Sequence, residues 1–474
     1  MNLLNHEVIL ELFRAYYLLF VLCMFLGTFA VTFYLIPKVL WVSREKNLMA
    51  EVVGRSAHCT ETPSFGGVAF YITLIMVLAL IQSLRLNYVG GHLIGAITIL
   101  FMVGLKDDLV ISTARVKFLG QIAAACFLVF SPEMHLTNLY GFWGIHEIPE
   151  ILGLLLTGFL IIALINAYNL IDGIDGLAAL VGIVICTAYA TVFYVSENPY
   201  YVLISVSLGG ILSAFLRFNY SRGERKIFMG DSGSLIVGLV LAFLSIKLLV
   251  MAPYIPIIGE GFSPSNRILF VGCILFIPVF DTLRVIILRL LKGDSPFSAD
   301  REHTHHIMLD LGLSHKKAGI FLATLNILVI SIFWFFSKLL TNIGLSFLVA
   351  AMYGAMFLMF YVLKKKSVLR LEMKETEDRR PETEGEKFEG TEDRSPETEG
   401  EKFQGTEDRS PETEEEKFQG TEDRSPETEE GKCHVIMHNG LGQGIKVGRP
   451  VSGKRKVESE ENKEVRSTKL EKRE

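Results

Sequence analysis

Apolar runs of about twenty residues recur along the first three-quarters of this chain, separated by short polar stretches. Each is long enough to cross a hydrocarbon core about 30 Å thick as a helix. The runs at 16–37, 66–84, 90–105, 116–131, 149–168, 176–195, 199–216, 233–252, 267–291, 318–337 and 343–363 predict eleven transmembrane helices. The first lacks a basic lead-in and a small-residue cleavage site, so it reads as a retained span and not a removed signal. The fold class is therefore all-α, a polytopic membrane protein, with residues 1–370 as the membrane domain.

Beyond Leu363 the pattern changes. TEDRRPETEGEKFEG, TEDRSPETEGEKFQG and TEDRSPETEEEKFQG follow one another as 15-residue repeats, with a partial fourth. Few apolar residues, high charge and one proline per unit predict a disordered segment over 371–432. A helical repeat is the alternative, opposed by that proline. A basic, mixed-charge end over 433–474 completes the tail.

Composition sharpens this picture in two places. Half of the residues are hydrophobic, too many for a soluble chain with so long a polar tail. The net charge of −5 hides a division, because 22 acidic and only 9 basic side chains fall in 376–432. The remainder is positive, as basic loops beside a membrane require. The six cysteines are scattered without metal-site spacing or a disulfide framework.

Lysine and arginine set the orientation. Lys38, Arg44, Lys106, Lys117, Arg217, Arg225, Lys292, Lys316 and Lys364 all lie in loops after odd-numbered spans. The opposite loops hold little beyond Arg14, Arg85, Arg267 and Lys338. The positive-inside rule then places the N-terminus outside and the tail in the cytoplasm. Lys247, near the outer end of the eighth span, is expected to snorkel.

The unusual polar residues gather in the same basic loops. GRSAHCTETPSFGGV (54–68) gives a basic approach and a Gly-Gly entry to the second span. GLKDDL (104–109) ends the third and sets Asp107 beside Asp108, so one of these pKa values is expected to rise unless a cation intervenes. Solvated end charges are the alternative for both. Lys117 opens the fourth span and suits an anionic group or snorkelling. NAYNLIDGIDG (166–176) packs Asn166, Asn169, Asp172 and Asp175 between two apolar runs, where a mere capping turn is the bland alternative. FMGDSGS (228–234) places Asp231 at a helix start, either as a cap or as a ligand for Mg²⁺ beside a phosphate. Asp281 and Arg284, three apart in the ninth span, read as a structural ion pair. GDSPFSADREHTHH (293–306) brings together Arg301, His303, His305 and His306. Zinc is an alternative for three histidines, but the carboxylates and amides elsewhere favour Mg²⁺ with phosphates. Hard-metal ligands and bases at headgroup level describe phosphoryl-type chemistry on a lipid.

GLKDDL, NAYNLIDGIDG, FMGDSGS and PFSADREHTHH, in this order, resemble the polyprenyl-phosphate N-acetylhexosamine-1-phosphate transferase family. The resemblance runs from about Pro37 to Leu313. It implies that a polyprenyl phosphate attacks the β-phosphate of a UDP-N-acetylhexosamine, releasing UMP, in a bacterial inner (plasma) membrane. It assigns Asp107 to deprotonating or orienting the lipid phosphate with Asp108 beside it, and Asp231 and Asn169 to Mg²⁺, with Mn²⁺ as a substitute. Lys117, Asn166, Asp172, Asp175 and Arg301 fall to substrate, and His303, His305 and His306 to the catalytic diphosphate grip. The lead-in PFSADRE is similar to the branch that uses UDP-GlcNAc; the MurNAc-pentapeptide branch is the alternative. A homodimer and protein partners for the tail are compatible with this reading; nucleic acid is not an expected partner.

A transporter with an intramembrane ion site is the rival class. Transporters carry such charges near midplane, often in two related halves. Here the charges gather at one face, and no half repeats.

Overall fold

In a computed structural model, residues 11–378 are described apart from 12, 49–61, 84–88, 111, 132–133, 256, 259–261 and 296–302. The described residues all fall in a single compact unit. Arg301 and the repeats beyond 378 lie outside them.

The helices are α1 (Tyr17–Glu45), α2 (Gly66–Ser83), α3 (Gly90–Leu109), α4 (Ala114–Val129), α5 (Glu150–Leu170), α6 (Leu177–Val195), α7 (Pro199–Asn219) and α8 (Gly230–Val250). They continue with α9 (Arg267–Ile274), α10 (Phe276–Lys292), α11 (Thr304–Asp310), α12 (His315–Phe336) and α13 (Asn342–Asp378). Among the described residues, eight are long and apolar enough to cross a membrane, or nine if the bent pair α9–α10 counts as one span. The count of eleven is not confirmed. The runs at 90–105 and 116–131 do form helices, α3 and α4, but α4 has only 16 residues.

Helix α8 is the hub. It is apolar all round its circumference, which commits it to the interior, and nearly every residue from Ser232 to Leu249 is buried. Neighbours reach it through glycine. A Cβ at Gly104 of α3 would come 2.4 Å from Ser232 Cα, and one at Gly67 of α2 would come 2.2 Å from Gly233 N. On the other side, Gly238 lies against Ile165 of α5. Close approach of small residues replaces the hydrophobic drive that lipid does not supply. By contrast, α1 buries only a stripe, Thr28, Thr32, Ile36, Leu40 and Ser43, at helical spacing. Thr28 packs on Gly210 of α7, and Thr32 shares a 3.1 Å hydrogen bond with Thr73 of α2.

Two details depart from the sequence reading. The run at 267–291 is not one helix: α9 and α10 meet at 76° around Leu275. Pro278 cannot donate to Ile274 O, and the break leaves backbone groups that lipid would not satisfy. Asn326 of α12 closes both ends, donating to Ile274 O at 3.0 Å and accepting from Ile277 N at 3.1 Å. The second departure is a hairpin, β1 (Asn138–Phe142) and β2 (Ile145–Glu147), antiparallel with Phe142 opposite Ile145. Trp143 and Gly144, both at positive φ, form its two-residue turn. Finally, Lys247 lies half-buried over the Tyr201 ring, 5.1 Å from its centroid.

Candidate active site

The site begins with the exposed amides of the α8 N-terminus. Its first helical N–H groups have no partner within the helix. Asp108, at the end of α3, supplies one from outside. Its Oδ1 accepts from Asp231 N at 2.7 Å, and its Oδ2 from Ser232 N at 3.0 Å and Ser232 Oγ at 2.5 Å. Gly230 makes the approach possible. It sits at φ +73°, and a Cβ there would come 2.1 Å from Ser64 O and 2.8 Å from the Asp108 carboxylate. Burial pushes the Asp108 carboxyl up to about 7, against these hydrogen bonds. The expected rise therefore comes from burial and from Asp231, not from the neighbouring Asp107.

With the cap supplied by Asp108, the Asp231 side chain turns elsewhere. Its Oδ1 lies 2.6 Å from Lys117 Nζ and accepts from Asn169 Nδ2 at 2.7 Å. Lys117 also reaches Asn169 Oδ1 at 3.5 Å and Asp107 Oδ2 at 3.8 Å. One ammonium thus gathers an aspartate from α8, an asparagine from α5 and an aspartate from α3. Asn169 is fixed further by donating to Ser234 Oγ at 2.6 Å. Asp107 is held by Ser112 N at 2.7 Å, and burial, followed by Asp231, raises its pKa. Neither Asp107 nor Asp108 is a freely solvated end charge. Asn166 forms a reciprocal amide pair with Gln121 of α4, at 2.8 and 3.1 Å. Gln121 escaped the sequence reading, although its place four residues after Lys117 puts it on the same helix face.

The turn between α5 and α6 carries the other two aspartates. Asp172 faces Asp231, Asp108 and Asp175, and burial together with those charges pushes its carboxyl up to about 7. Asp175 is clamped, with Oδ2 2.7 Å from Lys226 Nζ and 3.4 Å from His315 Nδ1. Gly176, at φ +79°, donates to Asn219 Oδ1 at 2.6 Å. Lys226, His315 and Asn219 come from three separate segments, and no local spacing ties them to Asp175.

The histidines reach the same turn. A Cβ on Gly173 would come 2.3 Å from His305 Nε2, so the Nε2 edge of the ring comes up against bare backbone. His305 is 2% exposed, its Nδ1 has no hydrogen-bond partner among the described residues, and burial lowers its pKa to about 3. It is therefore a neutral imidazole. The His303 ring stacks on it at 5.7 Å, and the His306 ring lies 4.3 Å away. The sequence pairs Asp281 with Arg284; the structure instead shows Asp281 holding this segment. Its Oδ2 lies 2.8 Å from His303 Nδ1, and its Oδ1 accepts from Thr304 N at 2.8 Å, at the start of α11. Arg284 lies over the Phe360 ring.

Four motifs far apart in sequence therefore meet at one end of the bundle. Among the described residues, no three His, Cys, Asp or Glu side chains stand close enough to hold a metal ion as they are. The donors around Lys117 Nζ are nevertheless all oxygens, two carboxylates and an amide, which suit a hard divalent cation. The lysine ammonium marks the point where they converge.

Comparison with known proteins agrees with this arrangement. Residues 91–249, which span most of these motifs, match the model of glycosyl transferase family 4. The chain is 34% identical over 287 residues to a decaprenyl-phosphate N-acetylglucosaminephosphotransferase of Mycolicibacterium smegmatis, covering 56% of this chain and 69% of that one. The Mycobacterium tuberculosis protein of the same name is 34% identical over 286 residues, with the same coverage. The undecaprenyl-phosphate alpha-N-acetylglucosaminyl 1-phosphate transferase of Escherichia coli is 26% identical over 305 residues, covering 61% of this chain and 77% of that one.

Proposed function

This chain belongs to the polyprenyl-phosphate N-acetylhexosamine-1-phosphate transferases, and on that footing we propose that it transfers GlcNAc-1-phosphate from UDP-GlcNAc to a polyprenyl phosphate. The products are polyprenyl diphosphate-GlcNAc and UMP. The reaction takes place at the cytoplasmic face of a bacterial plasma membrane, the side on which the basic loops and the site residues lie. One observation carries the reading: Lys117, Asn169, Asp107 and Asp231, from four helices, converge on one cation position beside the Asp108-capped start of α8.

An oxygen of the lipid phosphate attacks the β-phosphorus, a new P–O bond forms, and the bond to UMP breaks. One phosphoanhydride replaces another, so catalysis is mainly positioning and charge neutralisation. Asp107 accepts the proton of the lipid phosphate or orients its dianion, and burial with Asp231 beside it raises its pKa, the direction a base needs. Asp108 is committed to the α8 terminus and acts by holding Asp231 in place. Asp231 and Asn169 would hold Mg²⁺, with the Asp172 charge close to Asp231. A divalent ion held there would supply charge neutralisation for the diphosphate and the departing UMP. Lys117, beside the same oxygens, would meet a phosphate oxygen of the substrate. Neutral His305, with His303 and His306, lines the diphosphate side of the Gly173 turn.

The sugar is tested by incubating the purified protein with polyprenyl phosphate, Mg²⁺ and a panel of UDP-sugars. UDP-GlcNAc should give the highest kcat/KM. A preference for UDP-GalNAc or UDP-MurNAc-pentapeptide would overturn the sugar assignment.

A further inference from the structure

The last helix does not stop where its apolar run stops. The run ends near Leu363, and Lys364, Lys365 and Lys366 follow, yet α13 continues unbroken to Asp378. It also passes the boundary at 370 that the sequence suggests for the membrane domain. On this extension Ser367 is fully buried, and Arg370 donates to Leu311 O. The guanidinium rests on Gly312, at φ +85°, where a Cβ would come 2.9 Å from Nη1. Leu311 and Gly312 close the C-terminal end of α11, the short helix that starts with Thr304, His305 and His306. A cation there offsets the exposed carbonyls and the negative end of the helix dipole.

A second contact braces the other end of α11. Phe360 of α13 is fully buried, 6.0 Å from the Phe280 ring, with Arg284 above it at 5.9 Å. Phe280 and Arg284 flank Asp281 on α10, the residue that holds His303 and the first amide of α11. So α13 supports the histidine helix directly at its C-terminus and, through α10, at its N-terminus. His305 needs this support, because its ring fits against Gly173 with no space for a Cβ between them.

We propose that Arg370 is a positioning residue for the His303–His306 segment, and that the transferase portion of the chain includes α13 beyond Lys366. The kinetic part of the test rests on the transferase reading above; the exchange part does not. The proteins compared are the full chain, chains ending after Lys366 or after Asp378, and full chains carrying Arg370→Ala or Arg370→Lys. Steady-state UMP formation gives kcat and KM, and hydrogen exchange reports on residues 303–312.

The chain ending after Asp378 should match the full chain. The chain ending after Lys366 and Arg370→Ala should each lose on the order of tenfold or more in kcat/KM, the scale expected when a catalytic group is misplaced. Exchange should rise in 303–312 and stay unchanged elsewhere, and Arg370→Lys should restore part of the rate by keeping a cation at the helix end. Normal kinetics and exchange in Arg370→Ala would overturn the proposal, as would a loss that Arg370→Lys does not relieve. If the chain ending after Lys366 fails to fold, Arg370→Ala in the full chain still decides. If the unaltered chain forms no UMP, the transferase reading fails and the exchange result judges the coupling alone.

Discussion

Lys117 Nζ lies 2.6 Å from Asp231 Oδ1, and Asn169 and Asp107 share the same ammonium. An internal cation thus holds together carboxylates that would otherwise repel. A divalent ion would compete with the lysine for the same oxygens.

Removing the ammonium should expose this exchange. Lys117→Met leaves Asp231 and Asp107 without their cation, so Mg²⁺ or Mn²⁺ should raise the melting temperature of the variant more than that of the wild type. Asp231→Asn should abolish the metal-induced rise and most of the activity. Full wild-type activity in excess chelator would contradict the metal assignment.

Asp107 and Asp108 should separate, although they are adjacent. Asp108 caps α8 across the bundle, so Asp108→Ala should cost about 1–2 kcal/mol of stability, the scale of a lost N-cap. Asp107→Asn should leave stability nearly unchanged and cost roughly 10²-fold in rate. A lipid phosphate becomes a dianion near pH 6, so a base variant should recover part of its rate at pH 8–9. A deficit that stays flat across a pH–rate profile would assign Asp107 to positioning.

His305 predicts an acid-side loss of stability. Burial holds its folded pKa near 3, below the ordinary 6.5. The unfolded state takes up the proton first, so this contribution is complete above pH 6.5 and declines as pH falls below it. His305→Phe should flatten the fall of melting temperature between pH 6.5 and 4. Curves for variant and wild type that run parallel would show that His305 does not titrate on unfolding.

Gly173→Ala tests the contact between the turn and the histidines. The added methyl would meet the His305 ring at 2.3 Å, so the variant should insert normally but lose activity. It should also show faster hydrogen exchange across 303–312. Unchanged exchange there would mean that the two segments are not in contact.

Much of this site was legible because local chemistry announces it. Two amides and two carboxylates at a membrane boundary are costly unless used, and glycine pairs mark close approach. Long-range commitments were not legible. The spacing of Asp281 and Arg284 suggests a pair within one helix, while the structure gives Asp281 to His303, 22 residues on. Lys226 and His315 reach Asp175 across 51 and 140 residues. The break at Leu275 is met by Asn326 from another helix, and the extension of α13 meets Leu311 through Arg370. Such partners are chosen by packing, which periodicity does not encode.

The most direct test of the central claim follows the β-phosphate itself. The purified protein is incubated with UDP-GlcNAc labelled at the β-phosphorus, polyprenyl phosphate and Mg²⁺, and the lipid and aqueous phases are separated. The account predicts label in a lipid diphosphate-GlcNAc and an equal amount of unlabelled UMP in water. Release of labelled UDP, with only the sugar moved, would contradict it.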